Sequence, residues 1–289
     1  MGATTAEFTD THGVKIVYDK HEGKAPVRGV IQLLHGVGEH AGRYGEVIGK
    51  LTDAGFIVYA DDHRGHGRTG IQQHEGDVSK LGKLGPGGHN ATLDAVWQLS
   101  EIAHAENPGL PLILLGHSWG SFLAQMLLNE HPEAYSGLIL SGSAYRVPGS
   151  LSAKPLNARW AGPEAHGLEW LSRDPEVWKQ FRDDPLTTEE PMMKLFGVAD
   201  TLKMFGRPKK GLADAVNGTF PILLMVGRDD SVGGAESNHK LAEAYKTRSG
   251  FDDVTVFVYP EGRHEIFNEP EREQVFGDLL GWLDQHYPA

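Results

Sequence analysis

Leu112-Ile113-Leu114-Leu115-Gly116-His117-Ser118-Trp119-Gly120-Ser121-Phe122-Leu123 is the stretch from which the fold can be read. Its first four residues form an apolar run too short for a helix and suited to a strand buried on both faces. Phe122, Leu123, Met126 and Leu127 then recur at helical spacing. Between strand and helix lies G-x-S-x-G, the pattern of a nucleophile elbow. Such a turn forces a strained backbone on the serine, and the flanking glycines remove the Cβ atoms that would collide. The pattern alone is weak, because a chain of 289 residues with 37 glycines yields roughly 0.2 chance matches. Its flanks and its partners carry the reading.

Outward from the elbow, short apolar runs alternate with amphipathic ones. Strands are expected at Val14–Tyr18, Val30–Leu34, Phe56–Ala60, Leu112–Leu115, Leu138–Ser141, Ile222–Val226 and Val254–Tyr259. Helices are expected near Tyr44–Ala54, Asn90–Ala105, Ser121–His131 and Ala235–Lys246. A last helix near Glu271–His286 follows Pro270, a residue suited to a first helical turn. Repeated strand–helix alternation predicts an α/β fold with a mostly parallel central sheet and helices on both faces. One stretch breaks the rhythm. Tyr145 to Gly218 offers no strand, only short helical pieces such as Asp174–Phe181 and Thr188–Phe196. It holds three of the six tryptophans (Trp160, Trp170, Trp178) and three of the six methionines (Met192, Met193, Met204). That enrichment predicts a packed helical cap, residues 145–218, inserted within a single domain spanning 1–289.

Composition narrows the function. A net charge of −12 repels a phosphate backbone over most of the surface, which argues against nucleic acid as a partner. The absence of cysteine removes thiol chemistry and cysteine-ligated metal, and suits a cytoplasmic location. The N-terminal residues lack a basic start followed by an apolar core, so no signal peptide is read, and no apolar run is long enough to cross a bilayer.

A serine hydroxyl needs a base, and the base needs an orienting acid. Ile222–Val226 ends in Gly227-Arg228-Asp229-Asp230, and Val254–Tyr259 ends in Pro260-Glu261-Gly262-Arg263-His264. Both groups fall after consecutive strands, where open α/β sheets gather their sites. Ser118, Asp230 and His264 are therefore expected as nucleophile, acid and base, in the chain order of this arrangement. Asp230 is favoured over adjoining Asp229 as the third residue after the strand-ending glycine; either could instead be a turn residue or helix cap. A tetrahedral intermediate needs two donors. Trp119 supplies one amide as the residue after the nucleophile, and Val37, between Gly36 and Gly38 after the strand Val30–Leu34, supplies the other. Asp62-His63-Arg64-Gly65-His66-Gly67-Arg68 fits neither a metal site nor a phosphate loop, and reads as a polar loop bracing the elbow.

Several motifs then lie in one order: His35-Gly36-Val37-Gly38-Glu39-His40, Asp62-His63-Arg64-Gly65-His66-Gly67, Gly116-His117-Ser118-Trp119-Gly120, Leu171-Ser172-Arg173-Asp174-Pro175 with Asp184-Pro185-Leu186, and Gly262-Arg263-His264-Glu265. Together they resemble the monoacylglycerol lipase and lysophospholipase branch of the α/β-hydrolases, from about residue 28 to the C-terminus. The resemblance implies a Ser-Asp-His esterase acting on single-chain acyl esters under a hydrophobic cap, with no cofactor and no metal. It supports Ser118, Asp230 and His264 as triad, and Val37 and Trp119 as oxyanion donors. Two departures stand out. Lipases of the branch usually carry Met and Gly-Gly after the nucleophile, whereas this chain has Trp119 and Gly120-Ser121, and the indole is expected to narrow the pocket. The cap also carries Arg207-Pro208-Lys209-Lys210, a basic patch on an acidic chain, read as a solvated loop with transient contact to a membrane surface as the alternative.

A lysophospholipase, carboxylesterase or thioesterase would use the same residues. An aminopeptidase would need cap acids for a free amine, for which Glu164, Glu169, Glu189 and Glu190 are available. A catalytically dead ligand-binding homologue would be expected to break the triad. Oligomeric state is not legible in the sequence.

Overall fold

The computed structural model describes residues 2–216 and 218–289. Eight strands form one sheet: β1 (Ala3–Thr9), β2 (Lys15–His21), β3 (Gly29–Leu34), β4 (Phe56–Asp61), β5 (Leu112–His117), β6 (Gly137–Ser141), β7 (Ile222–Gly227) and β8 (Val254–Tyr259). Their order is β1-β2-β4-β3-β5-β6-β7-β8. β1 and β4 run antiparallel to β2, and every pairing from β4 through β8 is parallel. All seven strands expected from sequence form, within about three residues of the expected ends. The edge strand β1, which was not among them, is mostly exposed.

Helices α1 (Gly45–Asp53), α2 (Gly67–Gln73), α3 (Gly88–Glu106), α4 (Trp119–Glu130), α7 (Gly234–Ala244) and α8 (Arg272–His286) flank the sheet, and α5 (Pro175–Asp183) and α6 (Met192–Lys203) lie between β6 and β7. The parallel strands are buried on both faces, and their side chains divide by parity. In β3, Val30 and Leu34 join the core made with α3, α4 and α7, while Ile31 and Leu33 join the one made with α1 and α8. Each fully buried Leu or Ile in these layers contributes about 1.5–3 kcal/mol. Gln32, inward among the apolar residues, is satisfied by the Val96 carbonyl and the Ser100 hydroxyl.

Three boundaries depart from the sequence reading. Pro270 precedes the N-cap of α8, Glu271, and so stands outside the first turn. The second insertion helix begins at Met192 rather than Thr188, after Pro191, and is broken at Gly197, whose φ of +76° is open to glycine. The loop expected at Asp62–Arg68 becomes helix α2 from Gly67 onward.

Between β6 and β7 no described residue forms a strand. There α5 and the residues just before it build a small apolar cluster of Leu168, Leu171 and Phe181 backed by Trp170 and Trp178, while α6 sends Leu195 and Phe196 into the core beside the sheet.

α4 leaves β5 with almost no clearance. A Cβ at Gly120 would lie 2.2 Å from the Leu34 carbonyl oxygen, and one at Gly116 would lie 2.5 Å from the Gly120 carbonyl oxygen. Gly120→Ala is therefore expected to cost about 3 kcal/mol, the upper end for overpacking. Gly277→Ala, on an exposed turn of α8 with nothing within 4 Å, should instead gain about 0.5–1 kcal/mol. Urea midpoints of the two variants check the contrast.

Candidate active site

Ser118 sits between β5 and α4 with φ 52° and ψ −122°, a conformation rare for a residue that carries a side chain. Surrounding bonds hold it there. Its amide donates to the Ser141 carbonyl at 3.0 Å, and its own carbonyl accepts the Ser121 hydroxyl at 2.5 Å. The Ser143 hydroxyl lies 2.8 Å from that of Ser121 and can donate to it, so the serine that replaces the second glycine of the resembled pattern fastens the elbow to the loop after β6.

The loops after β7 and β8 meet beside it. Gly227 makes this contact: a Cβ there would lie 2.1 Å from the Arg263 carbonyl oxygen. Arg228 and Asp229 amides donate across to Tyr259 and Gly262 carbonyls. As a result His264 Nδ1 lies 2.9 Å from Asp230 Oδ1, with both residues buried. Asp230 Oδ1 also accepts the Val232 amide, whereas Asp229 pairs with Arg159 at 2.5 Å. Neither aspartate caps α7, whose N-cap is Gly233. Burial opposes a charge on His264, but the Asp230 carboxylate outweighs it by charge and hydrogen bond, with Glu265 and Glu39 adding to it. The imidazole is therefore held above its ordinary value of 6.5. Its Nε2 is buried with no hydrogen-bond partner among the described residues, so its capacity to take a proton is unspent.

Val37 and Trp119 line the same cavity as Ser118 and His264. A Cβ on Gly36 would come 3.1 Å from the Ser118 Cβ, which fixes how closely the loop after β3 approaches the elbow. His35 shapes that loop: its Nδ1 meets the Gly36 carbonyl at 2.7 Å and its Nε2 accepts the His63 amide at 2.9 Å. Burial, reinforced by His63 and His66, keeps His35 well below its ordinary pKa and hence uncharged. Trp119 is the first residue of α4, so its amide is one of the helix's unpaired N-terminal donors, at the positive end of the dipole. Trp119 also contributes to the cavity lining, where the sequence led us to expect its indole to narrow the pocket. The indole packs against His63, His66, His89 and Phe196 at ring distances of 5.5, 5.2, 6.1 and 4.9 Å, and none of those four lines the cavity. The loop at Asp62–Arg68 thus meets the elbow through its histidines.

The cavity encloses about 500 Å³. Much of its wall is apolar and comes from the insertion, including Leu168, Leu171, Phe181 and Met192, with Phe122 and Val232 from the sheet domain. Polar residues also line it, among them Glu39, His117 and Glu265. Arg43 forks onto both glutamates, at 2.5 Å to Glu39 and 2.8 Å to each Glu265 oxygen, and Tyr44 donates to Glu39 at 2.6 Å. Burial works against the Glu265 charge, yet Arg43 holds its pKa down at about 2. The i,i+4 spacing of Glu39 and Arg43 was the only sequence signal for this network. The insertion is pinned here too, because Thr188 donates to the Gly38 carbonyl and His40 meets Asp184 at 2.9 Å. Of the acids available for a free amine, Glu189 and Glu190 line the cavity but pair with Arg182 and Lys194. Glu169 is engaged by Asn157 and two backbone amides, and Glu164 is exposed outside the lining.

A family model described as serine aminopeptidase, S33, matches residues 25–271. A monoacylglycerol lipase of Mycolicibacterium smegmatis is 34% identical, the alignment covering 96% of each chain. A monoglyceride lipase of Homo sapiens is 28% identical over 89% of this chain and 83% of its own. A thermostable carboxyl esterase from Bacillus coagulans, solved in complex with glycerol, superposes with a TM-score of 0.84 at 26% identity, covering 99% of both chains.

Arg43→Met would leave two buried carboxylates without their cation, at a cost of about 3–5 kcal/mol near neutral pH. Protonation relieves that burden, so the gap to the unmodified protein should narrow as pH falls. Urea unfolding at pH 8 and pH 5 measures both effects.

Proposed function

The chain belongs to the α/β-hydrolase family described as serine aminopeptidase, S33, and on that premise we propose that it is a serine esterase hydrolysing carboxylic esters of single-chain lipids, monoacylglycerol above all. The observation that carries this reading is that Ser118 and His264, the latter paired with Asp230, line one largely apolar cavity. The resemblance to monoacylglycerol and monoglyceride lipases supports the substrate class.

In the proposed reaction Ser118 Oγ attacks the ester carbonyl carbon while His264 Nε2 takes its proton. Asp230 keeps the imidazole in the Nδ1–H tautomer and stabilises the imidazolium. The developing oxyanion receives the Val37 and Trp119 amides. Collapse of the tetrahedral intermediate breaks the carbon–oxygen bond, and His264 returns the proton to the leaving alcohol. Water, deprotonated by His264, then attacks the acyl-enzyme and releases the fatty acid. An acyl chain suits the apolar part of the lining, and a small polyol suits its polar residues such as Glu39 and Glu265. Because the reaction needs neutral His264 and its pKa is raised, activity should fall on an acid limb above pH 6.5.

Peptide-amine chemistry is less well served. A free ammonium needs an unpaired carboxylate, and the glutamates lining the cavity have cation partners. Among the described residues no helix is long and apolar enough to cross a membrane. Met193, Val198 and Leu202 of α6 are each about 60% exposed, near exposed Arg207, Lys209 and Lys210. This pairing supports transient contact with a lipid surface as the route by which substrate arrives. We assign the cytoplasm as the compartment, which suits a cysteine-free chain.

A fluorophosphonate probe should label the protein and fail to label Ser118→Ala; an unlabelled parent protein would indicate a ligand-binding homologue. Asp230→Asn should lower kcat by about 10³–10⁴-fold and Asp229→Asn by less than about threefold; the reverse order would transfer the acid role. Rates across monoacylglycerols, lysophospholipids, thioesters and short aryl esters rank the substrate classes.

A further inference from the structure

We propose that Trp170, a residue of the insertion, stabilises the protonated form of His264 through a cation–π contact and so acts with Asp230 in setting the strength of the base. The inference rests on the reading of His264 as general base. Two aromatic rings touch the His264 imidazole: His117 at 4.7 Å and 50°, and Trp170 at 4.8 Å and 37°. They differ in what they offer a positive charge. His117, whose Nδ1 meets the Ser141 hydroxyl, is kept neutral by burial and by its proximity to His264. Trp170 presents an indole, the strongest of the aromatic partners for a cation within about 6 Å. His264 is 1% exposed, so water does little to solvate the imidazolium, and the contact acts where screening is weak.

The other charges around the imidazole are Asp230 from the loop after β7, Arg263 and Glu265 on its own loop, and Glu39 with Arg43 from the loop after β3. Glu39 and Glu265 share Arg43, which leaves Asp230 as the direct counter-charge. The Trp170 contact strengthens when the imidazole gains its proton, which happens as Ser118 attacks, so it favours the transition state over the resting state.

The ring is fixed for this work. The Trp170 amide donates to Asn157 Oδ1 at 3.0 Å, and its carbonyl accepts the His264 amide at 3.3 Å. Next to it, the Glu265 amide donates to the Leu171 carbonyl at 2.7 Å, and Arg263 Nη1 donates to the Glu169 and Ser172 carbonyls. Trp170 is thus a positioning residue that acts through His264, in addition to walling the cavity.

The test compares Trp170→Leu, which keeps apolar bulk and removes the π face, with Trp170→Phe, which keeps a weaker one. Kinetics on a short aryl ester are recorded across pH. Trp170→Leu should lower kcat roughly three- to tenfold, with KM within about twofold of the parent, and move the acid limb of kcat/KM about half a pH unit or more downward. Trp170→Phe should fall between Leu and the parent on both measures. An acid limb unmoved in Trp170→Leu, or an effect confined to KM and acyl-length preference, overturns the proposal and leaves Trp170 as cavity wall only. Should Trp170→Leu fail to fold, fluorinated tryptophans at position 170 decide, since fluorine drains the π cloud while keeping the shape. Acid limbs that step down with fluorine number support the contact, and a flat series overturns it. Unimpaired turnover by Ser118→Ala would instead defeat the reading of the site itself.

Discussion

Ser118 occupies a backbone state that costs a side-chain-bearing residue about 1–3 kcal/mol, and the geometry of the site hangs on the sheet's ability to enforce it. The enforcement comes from proximity. Gly116 and Gly120 let β5, α4 and β3 approach to distances at which a Cβ would overlap carbonyl oxygens. The same closeness puts the Ser118 Cβ next to Gly36, and hence puts the loop after β3 beside the hydroxyl. One tight turn therefore sets two approaches, that of the serine to the cavity and that of the neighbouring amides to the serine. Ser121 strengthens the arrangement from behind by bonding to the carbonyl of the strained residue.

Charge in the site is organised by pairing rather than by exposure. Asp230 and Glu265 are both buried carboxylates within reach of histidines, yet they meet different partners. Asp230 has an imidazole at Nδ1 and raises its basicity, whereas Glu265 is neutralised by a forked guanidinium and held ionised. The division leaves one carboxylate coupled to a group that can change protonation and the other locked into a static pair in the cavity wall. His35 and His117, pushed toward neutrality by burial, add hydrogen bonds and packing without adding positive charge.

The parallel strands were legible because burial on both faces makes them short unbroken apolar runs, as in Leu112–Leu115 and Ile222–Val226. β1 was not, since Thr4, Thr5 and Glu7 face solvent at a sheet edge and give no apolar run. Helix α2 starts at a glycine, and its sequence GRTGIQQ offers one large apolar residue, so no helical period could be counted. The meeting of Asp230 with His264 could be read because their loops follow adjacent strands. Which aspartate turns inward was a matter of position, and the structure turns Asp229 outward to Arg159. The partners of the Trp119 indole were not legible, because His63, His66 and His89 are brought to it by tertiary packing. Trp170 gave no local signal at all, being 94 positions from His264 in the chain.

Four hydrogen bonds join residues 169–172 to the loop that carries His264, so the segment between β6 and β7 and the loops of the sheet share a seam. Substrate range and catalytic alignment are consequently not independent modules. A chimaera that replaced everything between β6 and β7 would take away the carbonyls that receive the His264 and Glu265 amides, leaving buried donors without acceptors. Grafting a foreign roof onto this sheet would have to spare that seam and exchange only the walls on either side of it. The dimensions of the cavity could then be rewritten without loosening the histidine.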